Sequence, residues 1–259
     1  HGNGLLSSAD SFYCSGQFRF SEKTVIPCWK TSGHGEVSAS RALAESCNAA
    51  FIEIGLRVGR SRLLDFCKKA RLFDREIIGY EKAQGDSHLQ IDYGGPALGN
   101  ASLGQKGVMM TPLQVANMVA TVVDNGLYKR PRLVREVREG DQIVHLLPSD
   151  PGEQVISPAT ARTLREYLRL VTSTGTGRNA YIPGIGCGGK TATSQTGQYT
   201  ESGEEILDTW FVGYFPVENP QWVIAVLVEH GQSGGRNAAP VFREIAAGMA
   251  KMYLPQAGR

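Results

Sequence analysis

The sequence predicts a mixed α/β fold in which helices flank an antiparallel sheet. Helical spacing of apolar residues dominates residues 37–180, whereas residues 181–232 carry β-branched and aromatic runs separated by turns. A last amphipathic helix is predicted over residues 240–254. Helices followed by strands and a closing helix are typical of a layered α/β domain. We therefore treat the 259 residues as one domain, with 41% hydrophobic residues available for its core.

The first predicted helices lie in a segment that is interrupted at one point. Apolar residues recur at helical spacing from Val37 to Val58, but the poor helix formers Ser46-Cys47-Asn48 break the pattern. We therefore predict two helices with a bend between them. Gly59 ends the second helix, Ser61 caps a third, and the glycine-rich residues 74–107 are predicted to be irregular.

The later elements carry clearer boundary signals. Thr111 followed by Pro112, and Ser157 followed by Pro158, are each typical of a helix start. The remaining predicted elements are, in chain order, a small hairpin over 131–147, with its strands at 132–134 and 142–144, and strands over 186–196, 207–214 and 222–229. The turn over 216–220, with a proline at each end, makes the last two strands a hairpin.

Composition argues against two classes of partner. The chain has 27 Lys plus Arg residues and 25 Asp plus Glu residues, which gives a net charge of +2. This balance does not suggest a protein that binds nucleic acid or a membrane surface. No apolar run is long enough to span a bilayer, so we expect any membrane anchor to lie upstream of these residues.

The five cysteines do not follow a metal-binding spacing. None forms a C-x-x-C pair, so the sequence predicts no metal site. Cys14 and Cys28 flank a loop-like stretch and are open to two interpretations, a disulfide or two free thiols. A disulfide there would contribute about 3 kcal/mol and would imply an oxidising compartment.

Two short motifs carry the chemistry that the sequence suggests. Ser46-Cys47-Asn48 lies at the predicted helix bend, and Lys190-Thr191-Ala192-Thr193 lies on a predicted strand after Gly188-Gly189. Each motif alone is weak, because such short combinations occur by chance.

Taken together with other segments, the two motifs resemble the second and third signatures of the penicillin-recognising serine acyltransferases. The chain is most similar to the class B, monofunctional penicillin-binding protein transpeptidases. The further matching segments are His34-Gly35, Leu103-Gly104-Gln105, Thr111-Pro112-Leu113-Gln114, Gly175-Thr176-Gly177, Trp210-Phe211-Val212-Gly213-Tyr214 and Ala239-Pro240-Val241-Phe242.

This resemblance implies a β-lactamase/transpeptidase-like fold and catalytic roles for three residues. Ser46 would pass a proton to the departing D-Ala amine, and Asn48 would hold the donor-strand amide. Lys190 would place a positive charge beside Ser46 and beside the substrate carboxylate. The implied partners are a peptidoglycan stem peptide ending in D-Ala-D-Ala and the β-lactams, with no metal or organic cofactor.

The same resemblance implies substrate-binding roles on the strand. The hydroxyls of Thr191 and Thr193 would bind the substrate carboxylate, and the Thr193 N–H would form half of the oxyanion hole. Ala192 stands where the family has a glycine, and its methyl group narrows the approach of the substrate backbone.

The chain departs from the family pattern at the nucleophile. No serine in the 259 residues is followed three positions later by a lysine. The resemblance implies that the S-x-x-K motif, with the first two strands of a five-stranded sheet, lies shortly upstream of residue 1. We therefore expect an incomplete sheet whose strand over 222–229 pairs with the missing segment, another polypeptide or a second copy. We also expect this chain to be inactive alone, and the whole protein to act on the extracytoplasmic face of a bacterial cell membrane.

Two alternative functions remain open from the sequence. A serine β-lactamase would need a base that activates the deacylating water, and no Glu-x-x-x-Asn motif follows Ser46-Cys47-Asn48; Glu166 is followed by Leu170. The second alternative is non-catalytic, a β-lactam sensor or a scaffold.

Overall fold

The fold is mixed α/β, as predicted, in a computed structural model that describes residue 7 and residues 9–80 and 87–253. The described helices are α1 (Ala39–Ala44), α2 (Asn48–Val58), α3 (Arg60–Lys69), α4 (Gly95–Ser102), α5 (Pro112–Val123), α6 (Pro158–Ser173) and α7 (Ala238–Tyr253). The described strands are β1 (Ser11–Cys14), β2 (Gln17–Arg19), β3 (Val25–Pro27), β4 (Gly35–Ser38), β5 (His88–Leu89), β6 (Val108–Met109), β7 (Leu127–Tyr128), β8 (Glu136–Glu139), β9 (Gln142–Leu146), β10 (Glu153–Gln154), β11 (Gly188–Tyr199), β12 (Glu205–Phe215) and β13 (Trp222–Gly231). None of these helices is long and apolar enough to cross a membrane.

The main sheet has three antiparallel strands in the order β11-β12-β13, which confirms the three predicted strands. Lys190 on β11 pairs with Val212 on β12, and Phe215 pairs with Trp222 across the second hairpin. Among the described residues, β13 pairs only with β12.

Helices cover both faces of this sheet. Val226 of β13 packs with Phe242 and Ala246 of α7 in one core, and Val223 packs against Val119 of α5 in another. Because successive strand residues point to opposite faces, both sets of side chains are at least partly shielded from water. This explains why the strand sequences are continuous apolar runs rather than alternating ones.

The N-terminal region forms a separate core against the first helices. β1 pairs with β4, and Phe12 and Val37 from these strands are buried against the start of α2. The predicted bend is confirmed, since α1 ends at Ala44 and α2 begins at Asn48. Ser46 turns the chain between them with a φ of 54°, in the left-handed region that non-glycine residues rarely occupy.

Two predicted helix starts follow the sequence signals closely. Thr111 and Gln114 form a capping box at the start of α5, each side chain bonding to the backbone of the other. The Ser157 side chain accepts from the Thr160 N–H at the start of α6. The third helix differs from its prediction, because α3 begins at Arg60 after Gly59 and is not capped by Ser61.

The structure corrects two further expectations. Helix α4 lies in the glycine-rich segment that we predicted to be irregular. Its Gly99 is required by packing rather than by a turn, since a Cβ there would lie 2.8 Å from the Phe20 ring. The small hairpin is formed by β8 and β9, so that its first strand begins later than predicted, at Glu136.

Candidate active site

Ser46 and Lys190, which are 144 residues apart in sequence, are in direct contact. Lys190 Nζ donates a hydrogen bond of 2.5 Å to Ser46 Oγ and one of 2.7 Å to the backbone carbonyl of Thr191. The helix bend and the lysine-bearing strand therefore face each other, as the resemblance requires.

Thr176 links the same two segments from a third one. Its Oγ1 lies 3.2 Å from Ser46 Oγ and 2.8 Å from Thr191 Oγ1. Three hydroxyls and one amine thus form a continuous chain of hydrogen bonds. Such a chain can pass a proton between its members without rearrangement of the backbone.

Gly175 explains how Thr176 reaches this position. A Cβ at Gly175 would lie 2.1 Å from the carbonyl oxygen of Ala44, the last residue of α1. Without that side chain, the Thr176 N–H donates to the same carbonyl at 3.0 Å. The turn after α6 is therefore held against the end of α1, next to Ser46.

The outer part of β11 is supported by two loops. Gln105 Nε2 donates to the Thr193 carbonyl at 3.1 Å, and the Gly234 N–H donates to Thr193 Oγ1 at 3.4 Å. Thr191 is buried, Thr193 is half-buried and Ala192 is exposed. This segment of the strand is accessible to a ligand on one side while its carbonyl and hydroxyl groups are held in place.

Asn48 lies at the same bend but makes a different contact. As the first residue of α2, it donates from Nδ2 to the carbonyl of Pro27, at 2.9 Å. This bond connects α2 to β3. The structure therefore brings Ser46, Lys190, Thr191 and Thr193 together, whereas the Asn48 amide donates away from them, to a carbonyl of β3.

The electrostatics of the site depend on Lys190. Burial lowers the pKa of its amine to about 8, because a charged group loses hydration when it is removed from water. Its two hydrogen-bond acceptors, a hydroxyl and a carbonyl, are uncharged. The pKa of this amine therefore lies within about one unit of neutral pH, where the charged and uncharged forms are both populated.

The matching family model is the penicillin-binding protein transpeptidase domain, which aligns with residues 3–247. The chain belongs to this family.

Curated relatives of this chain support its membership of the penicillin-binding transpeptidase family. It is 29% identical over 245 residues to stage V sporulation protein D of Bacillus subtilis, covering 91% of this chain and 37% of that protein. It is 32% identical over 219 residues to the peptidoglycan D,D-transpeptidase PbpA of Mycolicibacterium smegmatis, covering 82% of this chain and 43% of that protein. The chain therefore spans about two fifths of the curated relatives that it matches.

A solved structure gives the same fold. Penicillin-binding protein A from M. tuberculosis, as a ceftriaxone acyl-enzyme complex, superposes with a TM-score of 0.82 at 24% identity. The match covers 93% of this chain and 56% of that one. The mixed α/β fold of the penicillin-binding transpeptidases is thereby confirmed.

Two residues of the site were not nominated from the sequence of this penicillin-binding protein segment. Thr176 and Gln105 both lie in segments that match the family, G-T-G and G-Q, but neither segment has a chemical signature by itself. The signal for Thr176 was a threonine between two glycines. Because the flanking glycines have no side chains, a threonine between them can lie close to the backbone of another segment.

A second cluster of reactive side chains lies directly behind the bend. Ligand atoms of Cys14, Cys28, His34 and Cys47 all lie within 4.8 Å of one another, and all four residues are buried. All five cysteines are free thiols, so the disulfide interpretation of Cys14 and Cys28 does not apply to this structure. The hydrogen bond from Cys47 lowers the pKa of Cys28 to about 4.

Proposed function

We propose that this segment is the part of a D,D-transpeptidase that positions and protonates the substrate during cross-linking of peptidoglycan stem peptides. The reaction proceeds through a serine acyl-enzyme, and β-lactams acylate the same serine. The observation that carries the proposal is the direct contact between Lys190 Nζ and Ser46 Oγ beside an accessible strand. The PbpA relative is itself named a peptidoglycan D,D-transpeptidase, and the M. tuberculosis neighbour was solved as a β-lactam acyl-enzyme.

Ser46 and Lys190 are proposed to deliver a proton to the leaving amine. A hydroxyl donates and accepts at once, so Ser46 can give its proton to the departing D-Ala nitrogen while it regains one from Lys190. An amine with a pKa of about 8 suits this exchange at physiological pH. Thr176 completes the relay towards Thr191.

The strand is proposed to bind the substrate backbone and its carboxylate. Thr191 and Thr193 offer hydroxyls, and Lys190 offers a positive charge in the same region. The Thr193 N–H is proposed as one oxyanion-hole donor, and losing such a donor costs about 3–4 kcal/mol of transition-state stabilisation. Ala192 is exposed and adds a methyl group where the family has a hydrogen.

Asn48 is proposed to hold the donor-strand amide of the substrate. One Nδ2–H is bonded to Pro27, so its side-chain carbonyl and its second N–H are the groups left for a ligand. Asn48 follows Ser46 by two residues at the bend, which supports a position next to the proton relay.

The nucleophilic serine is proposed to come from polypeptide beyond these 259 residues. No S-x-x-K occurs in them. The whole protein is proposed to act outside the cytoplasmic membrane, where peptidoglycan is cross-linked, and the 259-residue chain alone is proposed to be inactive.

The experiment is covalent labelling by a fluorescent penicillin. We expect the 259-residue chain alone to give no labelled band. The longer gene product that contains the serine-bearing segment should be labelled, and Lys190→Ala should slow its acylation by roughly 10²–10⁴-fold, the usual contribution of a positioned proton donor or acceptor.

Lys129→Ala is the matched control, because Lys129 is a solvent-exposed lysine paired with Asp124 at 2.8 Å. It should leave the labelling rate unchanged. Labelling of Lys190→Ala at the wild-type rate would contradict the proposed relay. Rapid release of hydrolysed penicillin by the longer protein would instead favour a β-lactamase.

A further inference from the structure

Four metal-ligating side chains from residues 14–47 meet behind the active-site bend, although each comes from a different element or loop. Cys14 ends β1, Cys28 follows β3, His34 precedes β4, and Cys47 is the N-terminal cap residue of α2. Their ligand atoms lie within 4.8 Å of one another. Four separate segments of the fold therefore converge on one point.

The composition of the cluster selects the kind of ion. Three thiols and one imidazole are a Cys₃His set, which is one of the ligand sets of structural zinc sites. Tetrahedral zinc with Zn–S bonds of about 2.3 Å places its ligand atoms roughly 3.5–3.8 Å apart. The present separations need a contraction of only about 1 Å, which side-chain rotation can supply.

The burial of the cluster also argues for a bound ion. The exposed fractions of Cys14, Cys28, His34 and Cys47 are 1%, 2%, 5% and 0%. With all four positions supplied by protein and none open to solvent, such a site would be structural rather than catalytic.

His34 is oriented as a metal ligand would be. Its Nδ1 faces the cluster, 3.5 Å from Cys28 Sγ. Its Nε2 is buried and has no hydrogen-bond partner among the described residues, and Glu45 Oε2 lies 3.7 Å away. A carboxylate behind the distal ring nitrogen is the arrangement that fixes the tautomer of metal-bound histidines.

We propose that Cys14, Cys28, His34 and Cys47 bind one zinc ion, with Glu45 as the partner of the His34 Nε2–H. Zinc binding replaces the remaining thiol protons, which leave to solvent, and involves no change of oxidation state. The site is independent of the function proposed above, since it requires no substrate and no nucleophile.

The position of Cys47 gives this ion a second consequence. Cys47 lies between Ser46 and Asn48, and Ser46 is held at a φ of 54°. A metal bond to Cys47 fixes the backbone on one side of that turn to β1 and β4. Zinc is therefore expected to keep the Ser46 hydroxyl within hydrogen-bonding distance of Lys190.

The test measures metal content in the reduced 259-residue chain. We expect one zinc per chain after purification without chelator and dialysis. Replacement by Co²⁺ should give thiolate-to-cobalt charge-transfer bands and the visible bands of a tetrahedral ion. Chelation should lower the melting temperature by roughly 10 °C, because a tightly held ion stabilises only the folded state.

Variants assign the ligands. Cys14→Ser and Cys28→Ser should each lose the zinc, whereas Cys67→Ser, which changes a buried cysteine of α3 outside the cluster, should retain one per chain. Glu45→Gln should still bind one ion but with roughly 10- to 100-fold lower affinity, the usual effect of removing a carboxylate behind a ligating histidine.

Two results would overturn the proposal. One is a folded, fully reduced wild-type chain that takes up no zinc when the ion is supplied in excess. The other is a cobalt spectrum without thiolate bands. Both are measured on the wild-type chain, so that a variant that fails to fold does not leave the question open.

Discussion

Lys190 is an amine whose two observed acceptors, Ser46 Oγ and the Thr191 carbonyl, carry no charge. Neutral acceptors compensate a buried ammonium less than a carboxylate would, so that burial shifts the equilibrium towards the uncharged amine. The pKa of about 8 compares with about 10.4 for a lysine in an unfolded chain. The same property that suits Lys190 for proton exchange therefore lowers the stability of the fold whenever the amine is charged.

This predicts a dependence of stability on pH that can be measured without substrate. Between pH 8 and the unfolded value of about 10.4, the unfolded chain binds the Lys190 proton and the folded chain does not. Stability therefore rises with pH across this range, by at most about 3 kcal/mol. Denaturant unfolding at several pH values should show this rise in the wild type relative to Lys190→Met.

The matched control is Lys129→Met, which removes an exposed lysine that is paired with Asp124. Its pH profile should follow the wild type. If Lys190→Met and the wild type differ by a constant amount from pH 7 to about 10, the amine is not shifted in the folded chain.

The three residues at the helix bend have three different partners. Ser46 contacts Lys190, Cys47 joins the cysteine cluster, and Asn48 bonds to Pro27. The left-handed conformation of Ser46 is what directs consecutive side chains to different parts of the molecule. A small change at this turn is therefore expected to disturb the proton relay and the buried cluster together.

At the scale of elements, the site depends on how closely the turn after α6 approaches the end of α1. We predict that Gly175→Ala destabilises the protein by roughly 2–4 kcal/mol, because its Cβ would lie 2.1 Å from the Ala44 carbonyl oxygen. The new methyl group would also move Thr176 away from Ser46. Thermal or denaturant unfolding measures the first effect.

Gly248→Ala in α7 is the control for this prediction, since a Cβ there would meet no atom of the described residues within 4 Å. It should stabilise the helix by about 0.5–1 kcal/mol, the usual difference between alanine and glycine in a helix. Equal stability changes for the two variants would mean that the approach of Gly175 to α1 is not a constraint.

Elements with strong local signals were predictable, and those defined by packing were not. Helix α5 has Thr111 and Pro112 at its start, and β12 and β13 have apolar runs around a proline-bounded turn. Helix α4 was missed because its glycines, which indicate irregular structure in a sequence, serve here to admit the Phe20 ring. No local pattern contains that information.

The whole molecule brings together residues whose spacing is uninformative. Ser46 and Lys190 could be paired in advance only through the family resemblance, since 144 residues separate them. The four residues of the cysteine cluster were not recognised because each comes from a different segment, and the sequence rule for zinc sites relies on pairs of close ligands. Tertiary structure, rather than spacing, defines both sites.

The open edge of the sheet is the last feature that belongs to the molecule as a whole. Within the described chain, β13 is bonded to β12 on one side and to no strand on the other. Helices α7 and α5 pack on its two faces, but of its side chains only Val226 is fully buried, and Glu229 and His230 are exposed. Such an edge presents unpaired N–H and C=O groups and is a template for another strand.

We therefore predict that β13 pairs with a second copy of this chain when no other polypeptide covers it. Hydrogen exchange of the β13 amides should become slower as protein concentration rises, because pairing occupies the outward-facing N–H groups. The amides of β12, which lies between two strands, should exchange at a rate that does not depend on concentration. Concentration-independent exchange in both strands would show that the edge of β13 does not join two copies.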